Sequence, residues 1–148
     1  MTDAQVTTGN RELTITRTFD APRVLVFNAW SKPEHLTRWF GPNNFTVTVP
    51  EMDFRAGGKF RFCMRGPGIE HWVSGVYREI VPPERIVWAG TMEHDHNEIT
   101  TTVTFADLGS KTRVSVHQSY SIESESTRGA RQGWTETLER LAAYLAAA

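Results

Sequence analysis

The sequence has one cysteine, no long apolar run and almost no net charge. Cys63 stands alone among 148 residues, which excludes an intrachain disulfide and a multi-cysteine metal site. Sixteen basic residues nearly balance seventeen acidic ones, and the formal charge of −1 gives no electrostatic footprint for nucleic acid or an anionic membrane. No apolar run approaches the roughly 18 residues of a membrane span, and no signal peptide is evident. We therefore expect a cytoplasmic protein that neither binds nucleic acid nor inserts into a membrane.

The chain contains no linker, internal repeat or low-complexity tract. Its 148 residues fit one domain, which should bury about two-thirds of the surface of the unfolded chain. Residues 1–10 are polar and predict a flexible N-terminus, whereas residues 11–148 predict a single domain. A domain of this size can build a substantial core.

Two short helices are predicted after the first strand, over residues 22–30 and 33–40. Pro22 and Pro33 can each occupy a first helical turn, where the missing N–H of proline costs little. Gly41 can then adopt a left-handed conformation and end the second helix. The stretch therefore predicts a compact helical pair.

Strands account for most of the remaining chain. Alternating apolar and polar residues indicate one strand over 12–19, before the helices, and six more between residues 45 and 120. The clearest has Phe60, Phe62 and Met64 in one phase. Turn residues recur at hairpin spacing, which predicts an antiparallel meander.

The C-terminal segment has a different period. Apolar residues at three- and four-residue steps predict a helix from Glu125 to Leu145, about 30 Å long. Gly129 and Gly133 lie about one turn apart on it, and glycine inside a helix costs up to about 1 kcal/mol relative to alanine. We expect these glycines to permit a close approach of helix and sheet; the alternative is room for a ligand beside the helix.

This order of elements predicts an α+β fold. A curved antiparallel sheet of six to seven strands would wrap around the long C-terminal helix, with the two short helices after the first strand. Such an arrangement encloses space between sheet and helix, a usual place for an apolar ligand site. A binding pocket is therefore the leading hypothesis.

Several motifs resemble the activator of heat-shock-protein-90 ATPase homologues, a family of the SRPBCC or START-like helix-grip superfamily. That superfamily includes START lipid carriers, polyketide cyclases and pollen-allergen-like proteins. The likeness covers about residues 12–146 and implies the helix-grip fold and an apolar or amphipathic small ligand. The motifs are RTFDAP at 17–22, Val26-Phe27, Trp30, PEHL at 33–36, WFGP at 39–42, GGKF at 57–60, GVY at 75–77, PPER at 82–85, and Gly133-Trp134 with Leu138 and Tyr144-Leu145.

Eight aromatic or sulfur-containing side chains are candidates for the cavity wall. Each alone is an ordinary core residue, but together they exceed what a two-layer core of this size needs. Trp88 and Met92 share one strand face, so they can line the same wall. The candidate ligand-binding residues are Phe40, Phe60, Phe62, Met64, Trp72, Trp88, Met92 and Trp134.

Four polar residues are candidates for the same pocket. Arg17 lies in the apolar phase of its strand, where a buried guanidinium needs a partner such as Glu79, Glu93 or an acidic group on the ligand. Alternatively, its head extends to water from the strand edge. His71, Tyr77 and Glu79 share one phase of a later strand and could form an acid–base set. The sequence leaves open which phase of that strand faces the cavity.

No metal centre or cofactor is expected. His94, Asp95, His96 and Glu98 include the two-residue spacing of strand-borne metal ligands, but they fall in a predicted hairpin turn, where such residues are usually solvated. Cys63 has basic neighbours that favour a thiolate, yet no paired histidine is evident, so we expect an inert thiol. No nucleophile elbow, phosphate-cradling loop or dinucleotide fingerprint occurs, and the catalytic residues are unknown.

We therefore expect a protein that binds, carries or sequesters a small apolar or amphipathic molecule. One alternative is a cyclase- or hydrolase-type enzyme acting in the same cavity. Another is a co-chaperone-like module that stimulates a chaperone ATPase. In the family's co-chaperones this kind of domain accompanies a separate partner-binding domain, for which 148 residues leave no room. Exposed sheet edges could also support a weak homodimer.

Overall fold

The computed structural model describes the backbone of residues 5–8 and all of residues 11–122 and 129–147. These residues form one sheet and three helices. The elements are β1 (Gln5–Thr8), β2 (Glu12–Phe19), α1 (Arg23–Asn28), α2 (Pro33–Trp39), β3 (Thr46–Met52), β4 (Lys59–Gly66), β5 (Ile69–Val81), β6 (Arg85–Met92), β7 (Glu98–Asp107), β8 (Thr112–Tyr120) and α3 (Ala130–Ala147).

All the strands join one antiparallel sheet in the order β1-β2-β8-β7-β6-β5-β4-β3. The predicted α+β helix-grip fold is confirmed. The seven strands from β2 to β8 correspond to those predicted, and β1 adds a further strand beside β2. From β3 to β8 neighbouring strands follow one another in sequence, as a meander does. Only the placement of β2 against β8 joins distant parts of the chain.

Both short helices begin and end within two residues of their predicted bounds. Pro33 is at the start of α2, and Gly41 has a φ of 103°, the left-handed conformation expected after that helix. Trp39 is fully buried, and its indole Nε1 donates a hydrogen bond to the carbonyl of Ala29 at 3.1 Å. This bond fixes α2 against the end of α1.

The C-terminal helix α3 lies across the inner face of the sheet, the face that carries the core. Its predicted start at Glu125 lies outside the described residues. The described helix buries Trp134, Thr137, Leu138 and Leu141 along one stripe, as an amphipathic helix does. It contacts β2 and α2, and no helix of the described residues is long and apolar enough to cross a membrane.

Two polar links attach α3 to the segment around α2. His35 Nδ1 lies 2.7 Å from the Tyr144 hydroxyl. One guanidinium nitrogen of Arg140, Nη1, donates to the carbonyls of Gly41, Pro42 and Phe45 at 2.9, 3.1 and 3.2 Å. The loop between α2 and β3 is therefore held against the helix by a charged donor, which makes stronger hydrogen bonds than a neutral one.

Candidate functional site

A cavity of about 290 Å³ lies between the inner face of the sheet and the N-terminal half of α3. For scale, an engineered apolar cavity of about 150 Å³ stays dry and binds benzene. The cavity under α3 is therefore large enough for a small organic molecule. The loop that Arg140 holds forms part of its rim, through Gly41, Pro42 and Phe45.

The structure brings six of the eight aromatic and sulfur-containing candidates to this cavity. Strand alternation places them there, because β4, β5 and β6 pair so that Phe62, Val73 and Met92 lie side by side on the inner face. The remaining rings come from Trp88 on β6, from the residue that follows α2 and from the first turns of α3. The six residues are Phe40, Phe62, Met64, Trp88, Met92 and Trp134.

Phe60 lies in a smaller adjoining pocket of about 40 Å³. Tyr77 and Trp30 also line this pocket, and the rings of Phe40 and Phe62 border both spaces. One water molecule needs about 10–15 Å³ of such volume, so the smaller pocket has room for only a few water molecules. Of the two spaces, the larger cavity is the one with room for a small organic molecule.

Trp72 is on the opposite face of the sheet. Its ring lies under the guanidinium of Arg61, whose Cζ is 3.9 Å from the ring centroid, and its indole Nε1 donates to Glu70 at 2.7 Å. Arg61 in turn binds Glu93 through two hydrogen bonds of 2.9 and 3.0 Å. Trp72 thus belongs to a cation–π and ion-pair network on the outer face, away from the cavity.

Gly133 in α3 and Gly129 just before it leave open space instead of tightening the helix–sheet contact. A Cβ atom added to Gly133 would meet only Pro42, at 4.0 Å, and one added to Gly129 would meet no described atom within 4 Å. Both residues line the cavity. The expected close approach of helix and sheet at these positions is therefore wrong, and the alternative of room beside the helix fits the geometry.

Three buried polar residues that the sequence did not reveal as site residues also line the cavity. Thr101 and Gln118 are paired neighbours on β7 and β8, and Thr137 of α3 faces the same space. The Gln118 side-chain amide donates to the Thr101 hydroxyl at 2.9 Å, and the Tyr120 hydroxyl donates to the Gln118 carbonyl oxygen at 3.3 Å. A signal existed, because Gln118 continues the apolar phase of β8 after Val116.

His71 and Val73, which share one phase of β5, both line the cavity. This phase of β5 therefore faces the cavity. Its Nδ1 is buried and has no hydrogen-bond partner among the described residues. The ring of His94 lies 4.8 Å away, centroid to centroid. Burial, and then the neighbouring His94, lower the pKa of His71, so its imidazole is neutral at pH 7.

The other predicted polar residues do not converge with His71. Tyr77 is buried beside the smaller pocket, and that burial raises the pKa of its phenol above the ordinary value. Glu79 is half-exposed and forms an ion pair with Arg85 at 3.4 Å. The candidate acid–base set therefore occupies three separate environments, and the structure does not assemble it in one site.

Arg17 also stands apart from the cavity. Its Nε is buried without a hydrogen-bond partner among the described residues, and its guanidinium Cζ lies 5.7 Å from the centroid of the Phe19 ring. Both carboxylates considered as partners bind other arginines, Glu79 with Arg85 and Glu93 with Arg61. Arg17 contacts an aromatic ring of its own strand and lines neither described pocket.

The residues considered for metal binding or thiol chemistry form no site in the described part of the chain. No group of three or more histidine, cysteine, aspartate or glutamate side chains is placed to hold a metal ion among those residues. His94 instead lies 3.5 Å from Asp95. Cys63 is fully buried, and burial raises the pKa of its thiol despite the nearby Arg65. A raised pKa favours the unreactive thiol.

Comparison with known proteins gives a family and a fold. A family model described as "Activator of Hsp90 ATPase homolog 1-like protein" matches residues 20–146. Protein CV1439 from Chromobacterium violaceum is 28% identical, with a TM-score of 0.87, and the match covers 93% of this chain and 98% of that one. Mll3558 from Rhizobium loti is 26% identical, with a TM-score of 0.74 and coverage of 95% and 98%. A protein from Arthrobacter aurescens is 24% identical, with a TM-score of 0.86 and coverage of 99% and 94%. No curated protein matches the chain.

Proposed function

This chain belongs to the family of Activator of Hsp90 ATPase homolog 1-like proteins, and we propose that it binds a small apolar or amphipathic molecule in the cavity under α3. The family and its helix-grip fold supply the general premise of ligand binding. The particular site and the class of ligand are the proposal.

One observation carries it: the cavity is open where the helix has glycine instead of a side chain. Gly133 and Gly129, the residue just before α3, line a space of about 290 Å³, and a Cβ added at either position would meet no described atom closer than 4.0 Å. Protein interiors are normally close-packed, and voids larger than a water molecule are few. A glycine inside the helix, beside an aromatic-walled space, therefore supports a role for the space itself.

Binding is favoured over turnover because the candidate acid–base groups are dispersed. His71 lines the larger cavity, Tyr77 the smaller pocket, and Glu79 pairs with Arg85 at the surface. General acid–base catalysis needs groups within hydrogen-bond reach of the same reacting atoms. The cyclase- or hydrolase-type activity remains an alternative prediction from the sequence, as do the chaperone interaction, the weak homodimer and the cytoplasmic location.

The test is to fill the cavity from the helix. Gly133→Leu places a branched side chain in the space, and Ala143→Leu adds a similar side chain on the exposed face of the same helix. Binding is measured with N-phenyl-1-naphthylamine, an uncharged dye whose fluorescence rises in apolar surroundings. We expect Gly133→Leu to weaken dye binding at least about tenfold, because the leucine takes space that the bound dye needs and crowding the occupied site costs about 1–3 kcal/mol.

Ala143→Leu should bind the dye as the wild type does. Circular dichroism and urea unfolding establish that both variants are folded before their affinities are compared. Equal dye binding by the wild type and Gly133→Leu, or no dye binding by the wild type, would contradict the proposed site. Native mass spectrometry of the protein purified from its source then identifies the class of any co-purifying molecule.

A further inference from the structure

We propose that the ligand carries an uncharged hydroxyl or carbonyl oxygen, which binds at the Thr101–Gln118 end of the cavity while its apolar part lies between the aromatic walls. This inference rests on the proposed function and specifies the ligand of the same site. It commits to a neutral polar group and against a carboxylate, sulfate or phosphate at that end.

The Thr101–Gln118 end offers both donors and acceptors. The Thr101 hydroxyl accepts a hydrogen bond from the Gln118 amide, so its own proton is free to be donated into the cavity. The second N–H of that amide makes no hydrogen bond to a described residue. Across the space, the Thr137 hydroxyl donates to the carbonyl of Gly133 at 2.7 Å, so its oxygen can accept. A hydroxyl or carbonyl oxygen matches this set.

These three polar side chains are buried at positions where the fold would accept apolar residues. Thr101 is 0%, Thr137 4% and Gln118 8% exposed, and all three line the cavity. The next inner-face residues along β7 and β8 are Val103 and Val116, so valine is compatible with this face. Buried polar groups are costly unless their hydrogen-bonding capacity is used. A ligand oxygen would use the capacity that Thr101 and Gln118 leave open.

The described lining of the cavity provides no ionised side chain to pair with an anionic head group. No Asp, Glu, Lys or Arg occurs among the described residues that line the cavity. His71 is the titratable residue among them, and the groups that face it are His94 and Asp95. Burial lowers the pKa of His71, so it supplies no positive charge at neutral pH. An ionised carboxylate would be left without a counter-charge.

The experiment measures three competitors with the same bicyclic skeleton, naphthalene, 2-naphthol and 2-naphthoate, by displacement of N-phenyl-1-naphthylamine at neutral pH. A net hydrogen bond in a buried site is worth about a threefold to tenfold gain in affinity. We expect 2-naphthol to bind tighter than naphthalene by about this factor. The ionised 2-naphthoate should gain nothing over naphthalene.

The advantage of the hydroxyl should depend on the two polar side chains. In the double variant Thr101→Val/Gln118→Leu the ratio of naphthalene to 2-naphthol dissociation constants should fall to about one. The matched control is Thr102→Val/His117→Leu, a paired position of the same two strands on the outer face. That control should keep the wild-type ratio.

The outcomes separate this inference from the proposed function. If naphthalene and 2-naphthol displace the dye equally well from the wild type, or if 2-naphthoate binds tightest, the neutral-oxygen site is overturned while the binding cavity stands. If none of the three displaces the dye and the dye itself does not bind, the proposed function fails. The wild-type comparison is decisive even if the double variant does not fold.

Discussion

The two halves of α3 lie on the same sheet in different ways. In the C-terminal half, Leu141 is fully buried against the core, as is Leu138 at the middle of the helix. In the N-terminal half, the helix has Gly133 where a side chain would reach the cavity. One end of the interface is filled with hydrocarbon and the other is hollow.

The inner face of the sheet also changes from apolar to polar, along β7 and β8. Val103 of β7 pairs with Val116 of β8. The next inner-face pair along the same two strands is Thr101 with Gln118. Backbone pairing continues without a register shift through this point. The hollow therefore results from the choice of side chains on both elements, and not from a break in the helix or the sheet.

The largest expected effect is at the filled end. Leu141→Ala should lower the free energy of unfolding by about 2–5 kcal/mol, because it removes a fully buried side chain and leaves a void in the packed half. Urea unfolding followed by circular dichroism measures it. Dye binding in the hollow half should stay within about twofold of the wild type. A loss below about 1 kcal/mol would mean that the two ends do not differ in packing.

A smaller effect of opposite sign is expected at the hollow end. Gly133→Ala should leave stability unchanged or raise it by up to about 1 kcal/mol, because alanine favours the helix and its Cβ would meet only Pro42 at 4.0 Å. The same urea titration measures it, with Leu141→Ala as the contrasting variant. Destabilisation by more than about 1 kcal/mol would indicate that the helix is packed tightly at Gly133 after all.

The smallest effect is a pH dependence at the hollow end. Because the pKa of His71 in the folded protein is below its ordinary 6.5, the unfolded chain binds the proton more readily. Its contribution to stability is therefore fully present above pH 6.5 and is lost as the pH falls through the lowered folded-state pKa. Urea midpoints measured across this range should fall less steeply for His71→Gln than for the wild type. Parallel curves would show that His71 is not responsible.

At the hollow end, the sequence predicts the cavity residues correctly where strand alternation alone decides which face of the sheet a residue occupies. Phe62 and Met64 could be assigned to one face because successive strand residues point to opposite faces. The same rule could not choose the inner phase of β5, since both phases carry large side chains. The sequence therefore predicts Trp72 as a cavity residue. In the structure Trp72 lies on the outer face, where Arg61 stacks on its ring.

Polar residues show the limit of this approach more clearly. Gln118 was visible as a polar residue in the apolar phase of β8, yet its hydrogen bond to Thr101 depends on the pairing of two strands. His71 was proposed together with Tyr77 and Glu79 because the three share a phase. The register of β5 against β6 shifts between Tyr77 and Glu79, so the alternation does not continue through this stretch.

The sequence by itself determined the family, the order of the helices and of the strands from β2 to β8, and the amphipathic stripe of α3, because these follow from local period, turn residues and recognisable motifs. The tertiary structure alone decided that Gly133 faces open space, that Thr101 meets Gln118, and that Trp72 lies outside. The physical reason is that a void and a hydrogen bond between strands depend on distances between residues far apart in the chain, which a one-dimensional pattern does not contain.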